Sequence, residues 1–513
     1  MINRDIAAAW KYHNATKHSY ASIRSNPHML DWANKPLAYK IYPTLEVTRL
    51  PTEAHPTAIP ALSAISALTA NAAADALPNL EILAQILFLS AGITKARKYP
   101  GGEIFFRAAA CTGALYEIEL YLVCGDLPDL PAGLYHFGVA EFGLRQLRAG
   151  DFRASIAEFA GHDACVRHAP VTIICTGTYW RNAWKYQART YRHFGWDNGT
   201  ILANMLAVST ALGLPAKVIA GFMDEQVNGF LGLDSEREVA FSLVSLGPVV
   251  AEAMAAPGAV TALHLPLNQP SQREVDYPLM REMHTASSLS TADEVKVWHE
   301  RTPILKPPPV TNMLITLPRI ADTKLPTDSI EEVILRRGST RHFAQVPITI
   351  TQLSALLDRA TRGITADFLH SAGARLNDLY LIVNDVEGVP SGAYFYRREQ
   401  HGLEHLRQGN FRHMAGYLGL EQELPAAASV CLFFLADLHG ILEAFGNRGY
   451  RATQLEAGII GGKVYLAAYA LRLGATGLTF YDDDVVRFFS PHAEGKSAIF
   501  LVAVGKSRAK MRI

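Results

Sequence analysis

The chain runs to 513 residues, 49% apolar and 19% charged, which is enough for about two to four domains with well-filled cores. Lysine plus arginine and aspartate plus glutamate number 48 each, a balance that excludes the basic footprint of a general nucleic-acid binder and requires any charged ligand to be met by a local cluster. The cysteines, Cys111, Cys124, Cys165, Cys175 and Cys431, are odd in number, scattered and free of any CxxC, which argues against a secreted disulfide framework and for a reducing cytoplasm.

At the N-terminus, MINRDIAAAWKYHNATKHS brings charge and histidine too early for a signal peptide. The alanine-rich run from Ala58 to Ala74 is interrupted by Pro60, Asn71 and several hydroxyl residues, too polar to cross a bilayer, so no membrane partner is expected. LEILAQILFLSAG then repeats its apolar positions at three and four and predicts a helix. Short β-rich runs follow, ELYLVCG and VTIICTG, then a longer helix at ILANMLAVSTALG and a last strand at AFSLVSLG. Beyond a stretch containing RTPILKPPPVTNM, whose prolines favour an extended connector, the same order returns as ITITQLSALLDRATRGIT, DLYLIVN, SVCLFFLAD, GGKVYLAAYALRLG and AIFLVAVG.

The return is a repeat. RTYRHFGWDNGTILANMLAVSTALGLPA (189–216) lies without a gap on RGYRATQLEAGIIGGKVYLAAYALRLGA (448–475) at an offset of 259, and GLRQLRAGDFR (143–153) falls on GLEHLRQGNFR (402–412) at the same offset. Upstream the offset becomes 271, placing 77–94 on 348–365. The expected organisation is an N-terminal extension (1–64), a first half (65–255), a proline-containing linker (256–330) and a second half (331–513). Helices and strands mix without strict alternation, so the fold class is α+β, and two like halves most simply form an intramolecular pseudo-dimer with a site at the seam.

The halves differ where chemistry is expected. Half two opens with ILRRGSTRHF, bringing Arg336, Arg337, Ser339 and Arg341, over an uncharged ISALTAN in half one; after Gly505 come Lys506 and Arg508, over Val249 and its neighbours after Gly247. Guanidinium groups with a hydroxyl suit a dianionic phosphate, whereas the competing reading is a solvated basic face with a helix cap. The opposite asymmetry falls in WRNAWKYQARTYRH (180–193), where Lys185 and Tyr186 meet Ala444 and Phe445 while Arg-x-Tyr-Arg survives in both copies. What both halves keep reads as structural, so Arg192 and Arg451 are expected in buried pairs; what one half keeps is the candidate for chemistry.

Weaker signals carry less. His162-x-x-Cys165-x-x-His168 has no evident fourth ligand, Asp482-Asp483-Asp484 reads as a turn or helix cap with one residue matching Asp224, and Gly461-Gly462-Lys463 lacks P-loop spacing, so no metal or nucleoside triphosphate site is expected.

YHNATKHS with LDWANKPLAYKIYP, GITKARKYPGGEIFFRAAACTGALYEIELYLV, KYQARTYRHFGWDNG and GLTFYDDD, in that order, resemble successive blocks of the SagB/ThcOx-type flavin dehydrogenases of the nitroreductase superfamily, here in tandem. The resemblance implies the nitroreductase fold with FMN at a dimer seam, its phosphate gripped by Arg337, Ser339, Arg341, Lys506 and Arg508, its ring met by the amides of Gly477 and Leu478 and by Arg375, and Lys185 and Tyr186 as the catalytic pair of azoline oxidases. The sequence departs from the family at Ala109-Ala110-Cys111-Thr112-Gly113, where Pro-Ser-x-Gly is common, and in half two at Gly477-Leu478-Thr479, where many relatives have a glycine pair. Lys185, with its pKa lowered by burial near Arg189 and Arg192, would be a general base with Tyr186 as its relay. The implied reaction is azoline oxidation in a ribosomal peptide or a related small substrate, a peptide calling for a docking protein; the alternatives are an NAD(P)H-dependent nitroreductase or flavin reductase, and a non-catalytic flavin-binding scaffold.

Overall fold

The computed structural model describes residues 2–52, 56–68, 77–99, 102–249, 260–301, 303, 310, 312–369 and 374–508; the proline run Pro307–Pro309 lies outside them. Two seven-stranded sheets carry the halves. The first is built from β1 (Thr48–Arg49), β2 (Ile118–Cys124), β3 (Gly133–Gly138), β4 (Gly143–Ala149), β5 (Val171–Thr178), β6 (Ala216–Ile219) and β7 (Glu238–Leu246), in the order β1-β4-β3-β2-β5-β7-β6. The second repeats that order as β8-β11-β10-β9-β12-β14-β13, from β8 (Leu314–Thr316), β9 (Asp378–Val383), β10 (Gly392–Arg397), β11 (Gly402–Gln408), β12 (Val430–Ala436), β13 (Gly474–Leu478) and β14 (Ser497–Gly505). Even the registers agree: Leu122 faces Tyr135 as Leu381 faces Tyr394. β2, β5, β7 and their equivalents are rich in apolar residues and buried almost along their whole length because both faces of each sheet are covered. The α+β expectation holds, with one addition. One outer strand of each sheet comes from outside the repeat, β1 from the N-terminal extension and β8 from the linker.

Between the sheets run the two long helices, α4 (Thr190–Ala211) and α9 (Arg448–Ala470), preceded by the short α3 (Tyr179–Tyr186) and α8 (Leu438–Phe445). Glycine, asparagine and threonine make RTYRHFGWDNGT a poor helix by propensity, so tertiary burial must hold it; α4 is buried on every side from Thr190 to Ser209. The glycines serve close approach. A Cβ on Gly199 would lie 2.4 Å from the main-chain carbon of Gly458, so the two helix backbones touch there.

Charge crosses this seam reciprocally. Arg189 and Arg192 of half one bind Asp482 of half two (3.1 and 2.6 Å), while Arg448 and Arg451 of half two bind Asp224 of half one (2.6 and 2.7 Å). All six side chains are buried. Asp482 and Asp224 are the first residues of the helices Asp482–Phe489 and Asp224–Leu231, but the cap positions belong to Tyr481 and Met223 and neither carboxylate caps its helix; both serve the opposite half. The N-terminal helix α1 (Ala7–Ala15) closes one end of the seam, with the Tyr12 ring edge-on to Tyr191 and Tyr450 at 5.7 Å each.

Candidate functional site

Lys185 and Tyr186 form the last turn of α3, and the chain leaves that turn through Gln187 at φ 50°, ψ −143°. This is a region that glycine occupies without cost and other residues do not. The equivalent exit from α8 is Gly446, at φ 70°, ψ −162°. Half one thus keeps a side chain at the strained position, and Asn26 of the N-terminal extension donates to its Oε1 at 2.7 Å. The Lys185 ammonium sits 5.2 Å from the Tyr186 ring centre, the ring stands edge-on to His193 at 4.7 Å, and the hydroxyl lies against Gly113, where a Cβ would come within 2.8 Å of it.

Half two approaches the same place. After the helix α6 (Ile330–Arg336), capped by a reciprocal Ser329 and Glu332 box, the chain extends alongside its own C-terminal segment: Ala344 N–H donates to Lys506 O at 2.8 Å and Arg508 N–H to His342 O at 2.9 Å. Thr340 anchors this loop to β13 through its amide, which donates to Ala475 O at 2.9 Å. Arg341, Lys506 and Arg508 are exposed, and among the described residues their side chains have no hydrogen-bond or ion-pair partner. Lys185 is exposed rather than buried, and partial desolvation lowers its pKa, with the Arg341 and Lys35 charges lowering it further. The sequence reading assigned that effect to Arg189 and Arg192, which are instead spent on Asp482. Lys35, from the N-terminal extension, carries no sequence signal of its own.

The remaining expected cofactor residues are engaged within the protein. Arg337 is buried and donates through Nε to Ala108 O and through Nη2 to Arg107 O, both at 2.9 Å, tying half two to half one. Ser339 Oγ lies 3.2 Å from the Tyr465 hydroxyl, to which the Gly477 amide donates at 2.6 Å. Leu478 ends β13 half-buried. Arg375 is not brought to the cluster; it pairs with Asp378 at 3.0 Å and with Glu399, and its repeat equivalent is Tyr116.

Behind Tyr186 lies a group that the sequence reading missed. Glu117, Asp197 and Cys111 present atoms within 4.8 Å of one another. Asp197 accepts from the Thr112 amide with both oxygens (2.9 and 3.0 Å) and from the Thr112 hydroxyl at 2.9 Å, while Cys111 Sγ lies 3.4 Å from Asp197 Oδ2 and 3.5 Å from Glu117 Oε2. Burial and the neighbouring Glu117 raise the Asp197 pKa well above the carboxylate range. The repeat carried the signal: Asp197 falls on an acid, Glu456, but Glu117 falls on Leu376.

At the pseudo-equivalent place in half one the sheet edge is covered. The Val218 amide donates to Thr365 O and the Asp367 amide to Val218 O, both at 2.9 Å, adding residues 365–367 to β6. The Asp367 carboxylate takes the amides of Ala220 (2.9 Å) and Gly221 (2.8 Å) and lies 3.0 Å from His299 Nε2. At the corresponding edge in half two the Gly477 amide meets only a side-chain hydroxyl, among the described residues.

Paired sheets and a helix seam define a fold of two fused halves, with an uncovered cationic cluster at one end of the seam among the described residues. The Nitroreductase family profile matches residues 130–247 and 334–506, more than half the chain, and the chain belongs to that family. Over 179 residues it is 32% identical to a nitroreductase-type protein of Methanocaldococcus jannaschii, spanning 34% of this chain and 87% of that one. It is 30% identical over 175 residues to the trifolitoxin-processing protein TfxB of Rhizobium leguminosarum bv. trifolii, which covers 32% of this chain and just under half, 47%, of TfxB. A crystal structure of a nitroreductase-type protein from Anabaena variabilis superimposes with a TM-score of 0.77 at 26% identity, over 98% of this chain and 99% of that one. Among the described residues no helix is long and apolar enough to cross a membrane.

Proposed function

We propose that the chain is an FMN-dependent dehydrogenase that oxidises an azoline ring of a ribosomal peptide, or a related small substrate, to the aromatic azole. The observation carrying this reading is the meeting of two one-sided features: Lys185 and Tyr186, which half two lacks, stand beside Arg341, which half one lacks. Arg341, Lys506 and Arg508 fit an anionic cofactor, because three cationic ends without an acidic partner suit a phosphate dianion. Arg337, Ser339, Gly477 and Leu478 frame that loop, and Arg375 keeps its ion pairs at the start of β9.

Bound FMN would supply the two-electron acceptor. Lys185 takes the proton that the ring C–H gives up, its amine biased toward the neutral form by partial desolvation and by Arg341. Tyr186 orients the ring through a hydrogen bond from its hydroxyl. The likeness to a trifolitoxin-processing protein favours a peptide substrate brought by a docking protein. The likeness to the M. jannaschii protein favours the second reading, an NAD(P)H-dependent nitroreductase or flavin reductase.

Two measurements test the proposal. The purified chain is expected to hold one FMN, since residues 365–367 cover the other seam end; two per chain would overturn that part. Lys185→Ala and Tyr186→Phe are expected to keep FMN and lose turnover by about 100-fold or more. Undiminished turnover at full occupancy would remove Lys185 and Tyr186 from the chemistry and leave the reductase reading. A chain that holds FMN that no donor reduces would be a scaffold.

A further inference from the structure

Glu117 and Glu119 sit two residues apart at the start of β2, both fully enclosed, with opposite surroundings. Glu119 meets the Arg181 guanidinium at 2.5 Å and His136 Nε2 at 3.0 Å, and against the effect of burial the Arg181 charge and the His136 hydrogen bond hold its carboxyl far below the ordinary range. Among the described residues Glu117 meets no cation. Its Oε2 has Cys111, its Oε1 has no partner, and the neighbouring charged group is a second carboxyl, Asp197. Two buried carboxylates whose oxygens lie within 4.8 Å of each other cannot both stay ionised without a counter-charge. Neutral donors from Thr112 satisfy Asp197, but they do not supply that charge.

Half two shows the solved version of the same position. Glu456, the equivalent of Asp197, accepts from the amides of Leu376 (2.9 Å) and Asn377 (2.8 Å) and from Asn377 Nδ2 (2.7 Å), with an apolar leucine where half one has Glu117. The second carboxyl therefore accompanies Lys185 and Tyr186, and half two has neither.

We propose that Glu117 and Asp197 share one proton in the closed space behind Tyr186 and, through their remaining negative charge, hold Tyr186 as a neutral phenol, so that the tyrosine donates a hydrogen bond and Lys185 alone acts as base. The pair is a set of positioning residues, and its role in turnover rests on the reading of Lys185 and Tyr186 as the reacting groups. The electrostatics around Tyr186 agree. Burial raises its pKa, Asp197, Cys111 and Glu117 raise it further, and Arg341 alone opposes them. The other groups facing the pocket do not reverse this: burial raises the Cys111 thiol, Arg107 lies near Cys111 but donates to Ala38 O at 2.6 Å, and burial holds His193 neutral against Asn182 Oδ1 at 2.8 Å. Lys185 is pushed toward neutrality while Tyr186 is pushed away from ionisation, a separation that assigns the base and the donor.

The test reads the proton directly. Infrared spectroscopy of the purified full-length chain at neutral pH is expected to show a buried protonated-carboxyl band that disappears in Glu117→Gln; a wild-type chain without the band overturns the proposal, and this needs no variant to fold. Carbon-13 resonances of ring-labelled tyrosine, with Tyr186 assigned through Tyr186→Phe, follow its ionisation. In either single variant the carboxyl that remains ionises and keeps the negative charge, so the charge is removed only in the double variant Glu117→Gln, Asp197→Asn, where the Tyr186 ionisation constant is expected to rise about tenfold or more. An unchanged titration in the folded double variant overturns the electrostatic link. Neither readout depends on activity, so undiminished turnover in Lys185→Ala would sink the proposed function while the shared proton is judged separately.

Discussion

Replacing Asp224 by asparagine would test how the halves are held together. Its two oxygens bind Arg448 and Arg451 at 2.6 and 2.7 Å, and Oδ2 also takes the Leu289 amide at 2.9 Å, with all three charged side chains buried. Asp224→Asn is nearly isosteric, so no cavity opens. It leaves two guanidinium groups in a low-dielectric seam facing a neutral amide. Breaking one buried pair costs about 3–5 kcal/mol. One carboxylate serves both arginines here, so the loss should lie near the upper end, about 5 kcal/mol. Urea denaturation followed by fluorescence and circular dichroism would measure it, with Glu282→Gln as reference: that residue's pair with Lys11, also 2.6 Å long, is 53% and 65% exposed and should contribute less than about 1 kcal/mol. Because the arginines belong to half two and the aspartate to half one, both halves should be lost in one shifted transition. A loss within about 1 kcal/mol of the reference variant, or an early transition confined to one half, would refute the reasoning.

The same carboxylates set an acid limit: arginines hold Asp224 and Asp482 below their unfolded value of about 3.9, so the unfolded chain takes up protons first. Their stabilisation is full above that value and lost as pH falls through the folded one, which acid unfolding should show as a limb that Asp224→Asn weakens. Gln187→Gly should be more stable than Gln187→Ala by about 1 kcal/mol, since alanine keeps the strained backbone of the α3 exit without the Asn26 bond; equal stabilities would show that the exit stores no strain. Gly458→Ala should cost about 1–3 kcal/mol or more, because its Cβ would lie 2.5 Å from Gly195 O and force α4 from α9; a neutral change in melting temperature would contradict that contact. With FMN saturating, Arg341→Gln should raise the Lys185 pKa and move the alkaline-rising limb of kcat/KM to higher pH, leaving about tenfold less activity at neutral pH if the limb moves by about one pH unit; an unmoved limb would separate Arg341 from Lys185.

The repeat made the architecture readable in the sequence, because an offset of 259 preserves strand order, register and the arginine positions together. The one-sided residues were readable for the same reason. Which basic side chain is free was not: Arg337 and Arg341 share the run RRGSTR, yet one is consumed by carbonyls of half one and the other is exposed. That outcome depends on how closely the halves approach, which no local pattern encodes. Glu117 and Asp197 escaped because they are far apart in sequence and each alone resembles an ordinary surface acid. Asp367 escaped likewise, since covering an edge strand is a property of the partner segment.

In a dimer of identical chains every substitution is written twice, so a residue that closes one site closes both. Joining the two copies in one polypeptide removes that constraint. The segment at 365–367 can seal one seam end because nothing obliges the matching part of half one to do so at the other. The crossed arginines and aspartates keep the two copies bound as a unit while their sites are free to differ, so the linker between them confers asymmetry as well as proximity.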